Sequence, residues 1–220
     1  MPHSPDPHLY NPLFYPWGDA NAEFQKWYRN GSPITLVSVD RAYALITLLR
    51  QSLGTDGDVW ECGVYKGGSA SMIAGVMSEL SPSKKLRLFD TFSGMPASDP
   101  NCDAFKAGDL GDSSEEMALA NIGHPELLVV HKGTIPTTFS GLEDSRICFA
   151  HIDVDIYQST MDCMKFIYPR VSKGGILVCD DYGFPECYGA RKAVDEFCSS
   201  SGCVPFSITT GQAVIFKSIA

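Results

Sequence analysis

Apolar and polar positions along this chain follow two rhythms, one of strands and one of helices, and they take turns. Ser38 precedes a stretch to about 51 in which Ala42, Leu45, Ile46 and Leu49 recur at helical spacing, which predicts a capped helix. A shorter helix is expected over 22–30. Beyond these, short apolar runs of the kind found in buried parallel strands alternate with helical patterns. The runs 58–64, 85–91, 126–132, 146–155 and 174–181 predict five strands. Helices are expected over 68–80, 157–168 and 188–199, the first with Ala70, Ile73, Ala74 and Met77 on one face. Ser113 and Glu116 form a capping-box signature for a short helix ending near Ile122. Two last strands, near 204–208 and 212–217, meet at a Thr-Thr-Gly turn and read as a hairpin. The predicted fold class is α/β: a mostly parallel, doubly wound, seven-stranded sheet closed by a C-terminal antiparallel hairpin.

Residues 1–21 follow neither rhythm. Pro2, Pro5, Pro7, Pro12 and Pro16 forbid regular structure there. Tyr10, Phe14, Tyr15 and Trp17, set between them, need a surface to pack on, either the domain or a second copy. The expected organisation is an aromatic, proline-rich arm with a short helix over 1–33, serving as lid or homodimer contact, and one domain over 34–220.

Composition narrows the function. The 220 residues suffice for one sizeable core, and 44% hydrophobic with 20% charged residues is globular composition. A net charge of -9 disfavours nucleic acid and anionic membranes, which both reward basic patches. No apolar stretch approaches the roughly 18 residues of a membrane span, and no signal peptide is visible. The 8 cysteines contain no C-x-x-C pair, so they read as reduced thiols, several of them buried, and the cytoplasm is the expected compartment.

The chemistry concentrates where apolar runs end in carboxylates. "HIDVD" (151–155) ends in Asp153 and Asp155, and "ILVCDDYG" (176–183) carries Asp180 and Asp181. Ligands of open α/β sheets bind at the carboxyl ends of strands. Four acidic groups at one such edge repel each other unless a cation or shared protons intervene, which points to a divalent-metal site. Oxygen-only ligands suit Mg2+, Mn2+ or Ca2+ rather than zinc. If the chain stays extended, Asp153 and Asp155 face one way, so that one holds the ion while the other takes a proton; His151 shares that parity and is a rival base.

A second constellation, "ECGVYKGGSA" (61–70), places Glu61 at a strand end, Gly63, Gly67 and Gly68 in the turn, and Ser69 at a helix start. Its glycine spacing is wrong for a dinucleotide fingerprint, and no Gly-Lys-Ser/Thr follows for a phosphate loop. An acidic Glu61 suits a ligand ammonium, and Asp90, ending the second strand, suits ribose hydroxyls. An adenosine with an amino-acid tail and no phosphates fits both: S-adenosylmethionine (SAM).

The segments "ITLVSVDR" (34–41), "WECGVYKGGSA" (60–70), "LFDTFSGMP" (88–96), "HIDVDIYQST" (151–160) and "GGILVCDDYGFPECYGARKAVDEF" (174–197) together resemble the macrocin O-methyltransferase family of SAM- and metal-dependent sugar O-methyltransferases. The resemblance implies a Rossmann-like class I methyltransferase fold, a magnesium-type ion, and methylation of a sugar hydroxyl in a small-molecule or glycan acceptor. It implies Asp153, Asp180 and Asp181 as metal ligands, Asp155 as general base, and Glu61, Gly63, Tyr65, Ser69, Asp90 and Phe92 around SAM. Three other readings stand beside it: a catechol-type O-methyltransferase acting on a vicinal phenol, an NAD-binding oxidoreductase, and a non-catalytic relic of the fold.

Overall fold

The computed structural model describes residues 15–218. Two helices, α1 (Ala22–Gly31) and α2 (Val39–Ser52), precede the first strand, β1 (Asp58–Cys62). There follow α3 (Gly68–Leu80), β2 (Leu86–Asp90), α4 (Glu115–Ile122), β3 (Leu128–Lys132), β4 (Ile147–Ile152), α5 (Tyr157–Ile167), β5 (Val171–Cys179), α6 (Tyr188–Ser201), β6 (Phe206–Ser207) and β7 (Ala213–Phe216). The strands form one 7-stranded sheet in the order β3-β2-β1-β4-β5-β7-β6. Strands β1 to β5 run parallel, while β7 is antiparallel to β5 and β6 to β7. The order reverses between β1 and β4, where the connections leave in opposite directions and open a crevice at the strands' carboxyl ends.

Strand alternation divides the core into two layers. Val59, Leu88, Phe149 and Val178 face α1 to α4. Trp60, Phe89, Ala150 and Leu177 face α5 and α6. On this second face Trp60 and Phe89 pack at 4.7 Å between ring centroids, and Phe139 stacks on Phe166 at 4.6 Å. The eight cysteines are all free. Among the described residues no helix is long and apolar enough to cross a membrane.

Several boundaries differ from the sequence expectation, each for a local reason. Strand β4 stops at Ile152 rather than at 155, and β5 covers Val171–Cys179 rather than 174–181. The chain leaves the sheet where its side chains become carboxylates, and Asp155 adopts φ 58, a left-handed conformation incompatible with an extended run. Helix α4 is capped by Ser114, whose side chain accepts from the Met117 N–H at 3.1 Å, and not by Ser113. Ser113 faces the crevice instead. Strand β6 shrinks to two residues.

Of the aromatic arm, Tyr10, Phe14 and all its prolines but Pro16 lie outside the described residues. Its described part packs on the domain: Trp17 lies 6.2 Å from Tyr43 of α2, and Trp27 is buried with its indole N–H donated to Glu79.

Replacing Phe139 by Ala empties the centre of the ring cluster. The expected loss is about 3–5 kcal/mol of unfolding free energy, read from the midpoint of urea denaturation. A midpoint within error of the parent would show that the neighbouring rings collapse into the space.

Candidate active site

A cavity of about 310 Å3 occupies the crevice at the carboxyl ends of β1, β2, β4 and β5. The glycine loop after β1 forms its floor. Gly63 has φ +87, and a side chain on it would overlap the Asp153 carbonyl oxygen, so two strand ends meet there backbone to backbone. Asp90 ties this loop to the next one. One of its oxygens accepts from the Val64 and Tyr65 N–H groups at 2.6 and 2.9 Å, the other from the Phe92 N–H at 2.6 Å. Tyr65 and Phe92 both have φ 51, a region costly for residues with a side chain, and charge-assisted hydrogen bonds offset that strain. Gly63, Tyr65, Ser69 and Asp90 line the cavity. Glu61 and Phe92 lie beneath the floor, both buried.

Glu61 belongs to a polar row across the underside of the sheet. Its carboxylate meets His151 Nδ1 at 2.9 Å, and His151 Nε2 lies 3.5 Å from Asp180 Oδ1. All three side chains are fully buried. Burial pushes the Glu61 carboxyl up, against the opposing hydrogen bonds from His151 and Ser69. Asp180 Oδ1 also accepts from Gln212 Nε2 at 2.7 Å, and Arg41 of α2 contacts Asp180 Oδ2. The Arg41 guanidinium lies over the Phe184 ring at 4.5 Å and reaches the cavity wall.

The four aspartates converge, although not by the parity expected of an extended strand. Asp153, Asp155 and Asp181 line the cavity; His151 and Asp180 lie below it. His151 is therefore a hydrogen-bonded core residue rather than a base facing substrate. Ligand atoms of His151, Asp153 and Asp180 all lie within 4.8 Å of one another, and so do those of Asp155, Asp181 and Cys187. Asp181 Oδ2 accepts from the Asp155 N–H at 3.0 Å. Burial, then the charge of Asp153, pushes Asp155 up to about 7; the same causes, with Asp155 added, raise Asp181 well above the usual carboxylate range. A group of carboxylates that resist joint ionisation suits a hard divalent cation; of the ligands the resemblance implies, Asp153 and Asp180 fall in one such group and Asp181 in the other.

Sequence reasoning assigned no role to Arg41, Gln212 or Cys187. Arg41 falls inside "ITLVSVDR", where an arginine on an otherwise apolar helix face was the available signal. Gln212 had none, since only strand pairing between β5 and β7 carries it to Asp180. Cys187 lies 3.5 Å from Asp155 Oδ1, and burial pushes its thiol far up.

A doubly wound sheet with an antiparallel penultimate strand, and a cavity at its switch point, is the arrangement of class I methyltransferases. Solved structures agree on the fold. The O-methyltransferase NovP matches with a TM-score of 0.77 at 19% identity, covering 91% of this chain and 100% of that one. The calicheamicin methyltransferase CalS11 matches with a TM-score of 0.68 at 18% identity, covering 97% of both. The family model for macrocin O-methyltransferase (TylF) matches residues 45–209, and the chain belongs to that family of SAM-dependent O-methyltransferases. Among curated relatives, a Streptomyces olivaceus enzyme named as the 4'-O-methyltransferase of 8-demethyl-8-(2,3-dimethoxy-alpha-L-rhamnosyl)-tetracenomycin-C is 28% identical over 191 residues, 81% of this chain and 71% of its own. The mycinamicin III 3''-O-methyltransferase of Micromonospora griseorubida is 27% identical over 187 residues, 74% of this chain and 69% of its own.

Arg41→Met leaves Asp180 as an uncompensated buried charge. The expected cost is about 3–5 kcal/mol of stability, most of it recovered when Asp180→Asn is added in the same chain. An unchanged denaturation midpoint in the single variant would show that water solvates Asp180.

Proposed function

We propose that this enzyme transfers the methyl group of SAM to a sugar hydroxyl of a small natural product, with a Mg2+-class ion held by Asp153, Asp180 and Asp181. The observation that carries the reading is the meeting of Asp153, Asp155 and Asp181 with the Gly63–Asp90 floor in one cavity, with Asp180 below it. The names of the relatives supply the acceptor class: one is named for a rhamnosyl-bearing tetracenomycin C and one for mycinamicin III.

Each residue then has a task. Gly63, Tyr65, Ser69 and Asp90 contact SAM. Glu61 and Phe92 support that floor from below, Glu61 through its hydrogen bond with Ser69. A bound divalent ion supplies Lewis-acid polarisation of an acceptor hydroxyl. Asp155, lining the cavity with its backbone N–H held by Asp181, takes the hydroxyl proton. The acceptor oxygen's lone pair forms the new O–C bond, the C–S bond breaks, and its electron pair returns to sulfur, leaving S-adenosylhomocysteine. Leu36, Met95, Pro96, Phe105, Ile135 and Phe184 give the cavity an apolar rim, which suits a sugar carried on an apolar aglycone. The same rim favours a second reading, a vicinal phenol as acceptor.

The test follows S-adenosylhomocysteine release from SAM with para-nitrophenyl α-L-rhamnoside or catechol. The rhamnoside is expected to be methylated, the reaction to stop in EDTA, and Mg2+ to restore it. Methylation of catechol alone would favour the phenol reading, and full activity in EDTA would remove the ion from the scheme. Asp155→Asn is expected to lower kcat by about 10²–10⁴-fold while SAM affinity by calorimetry stays at the parent value.

A further inference from the structure

Helix α5 begins at Tyr157, directly after the turn that carries Asp155, and its own cap residue is Ile156, whose side chain cannot accept a hydrogen bond. The missing acceptor comes from far away in sequence. Asp103, in the loop between β2 and α4, is 6% exposed and accepts the Tyr157 N–H at 2.7 Å through Oδ1. Its other oxygen accepts from the Asp99 N–H at 3.1 Å, folding the loop onto itself. Room for this carboxylate exists because residue 189 is glycine: a side chain there would overlap Asp103 Oδ1 and the Cys102 carbonyl.

The same loop walls the cavity through Met95, Phe105 and Leu110. Its far end is tied to the SAM-side floor, where Asp112 meets Lys66 Nζ at 2.6 Å and accepts from the Tyr65 hydroxyl at 2.7 Å. The turn at Asp155 is tight and strained. The Ile156 N–H bonds to the Val154 carbonyl at 2.6 Å around an Asp155 with φ 58, a γ-turn in the left-handed region. Such a turn persists only when its surroundings hold it. Asp181 holds the Asp155 N–H on one side, and Asp103 holds the Tyr157 N–H on the other.

We propose that Asp103 is a positioning residue: by capping α5 from the acceptor-side loop, it makes closure of that loop and placement of Asp155 one event. The inference rests on the reading of Asp155 as the base. Groups acting in catalysis need sub-ångström placement, and a misplacement of about 1 Å costs on the order of 10²-fold in rate.

Asp103→Ala and Gly189→Ala remove the cap in independent ways, one deleting the carboxylate and one expelling it. Both are expected to lower kcat on para-nitrophenyl α-L-rhamnoside by about 10- to 100-fold with the KM for SAM unchanged. Both are also expected to raise amide hydrogen exchange across 155–159, a readout that needs no acceptor. Because the two changes act on one contact, the double variant is expected to lose little more than either single one. Asp103→Asn keeps the accepting oxygen and is expected to stay within about threefold of the parent. Asn21→Ala, which removes the cap of α1 away from the cavity, controls for general loss of stability and is expected to leave kcat and 155–159 exchange unchanged. Parent-level exchange and kcat in Asp103→Ala would overturn the proposal, as would an Asp103→Asn enzyme as impaired as Asp103→Ala. Asp155→Asn measured alongside separates the two ideas: if it is active, the base assignment fails; if it is inactive while Asp103→Ala turns over normally, only the coupling fails.

Discussion

The structure depends on how negative charge is managed where β4 and β5 end. Asp153 with Asp180, and Asp155 with Asp181, gather in two groups at these strand ends, much of both shielded from water. Like charges in a low-dielectric site resist joint ionisation, and isolated buried charges cost several kcal/mol each. The protein answers in two ways. Below the cavity, Asp180 is matched by Arg41, Gln212 and His151. On the cavity side, Asp153, Asp155 and Asp181 remain facing one another, and burial with mutual repulsion raises the proton affinities of Asp155 and Asp181. The lower set is matched by polar neighbours; the upper set faces the cavity.

A second use of carboxylates recurs around the cavity. Asp90, Asp103 and Asp181 each accept backbone N–H groups from a neighbouring segment: the glycine loop, the start of α5, and the Asp155 turn. Loops cannot bury unpaired backbone donors, so a carboxyl side chain that collects them fixes a loop more firmly than apolar contact does. Three non-glycine residues at these junctions, Tyr65, Phe92 and Asp155, sit at positive φ. Strain of that kind gathers where geometry serves chemistry, and hydrogen bonds across segments sustain it. The cavity is thus built by pinning irregular backbone at the ends of the strands.

Much of this was legible in the residues. Among the described residues, the strand and helix rhythms placed every α-helix and all seven strands, because burial on both faces of a parallel sheet leaves nearly continuous apolar runs. The acidic endings of β4 and β5 announced the site, since polar residues at strand ends have no packing role to explain them. Less legible was the direction in which individual side chains turn. His151 and Asp153 look equivalent by alternation, yet one is in the core and the other on the cavity, because the chain leaves the sheet after Ile152. Ser113 satisfies the local capping-box pattern, yet the structure caps the helix with Ser114.

The sequence by itself determined the layer architecture, the family, and the residue types at the reactive edge, because periodicity and local charge are properties of neighbours along the chain. Tertiary structure alone decided which carboxylate is neutralised, which faces the cavity, and which caps a distant helix. Arg41, Gln212, Asp103 and Gly189 act on partners remote in sequence. Coulomb attraction and hydrogen bonding depend on separation in space, and that separation exists only once the sheet has brought its strand ends together.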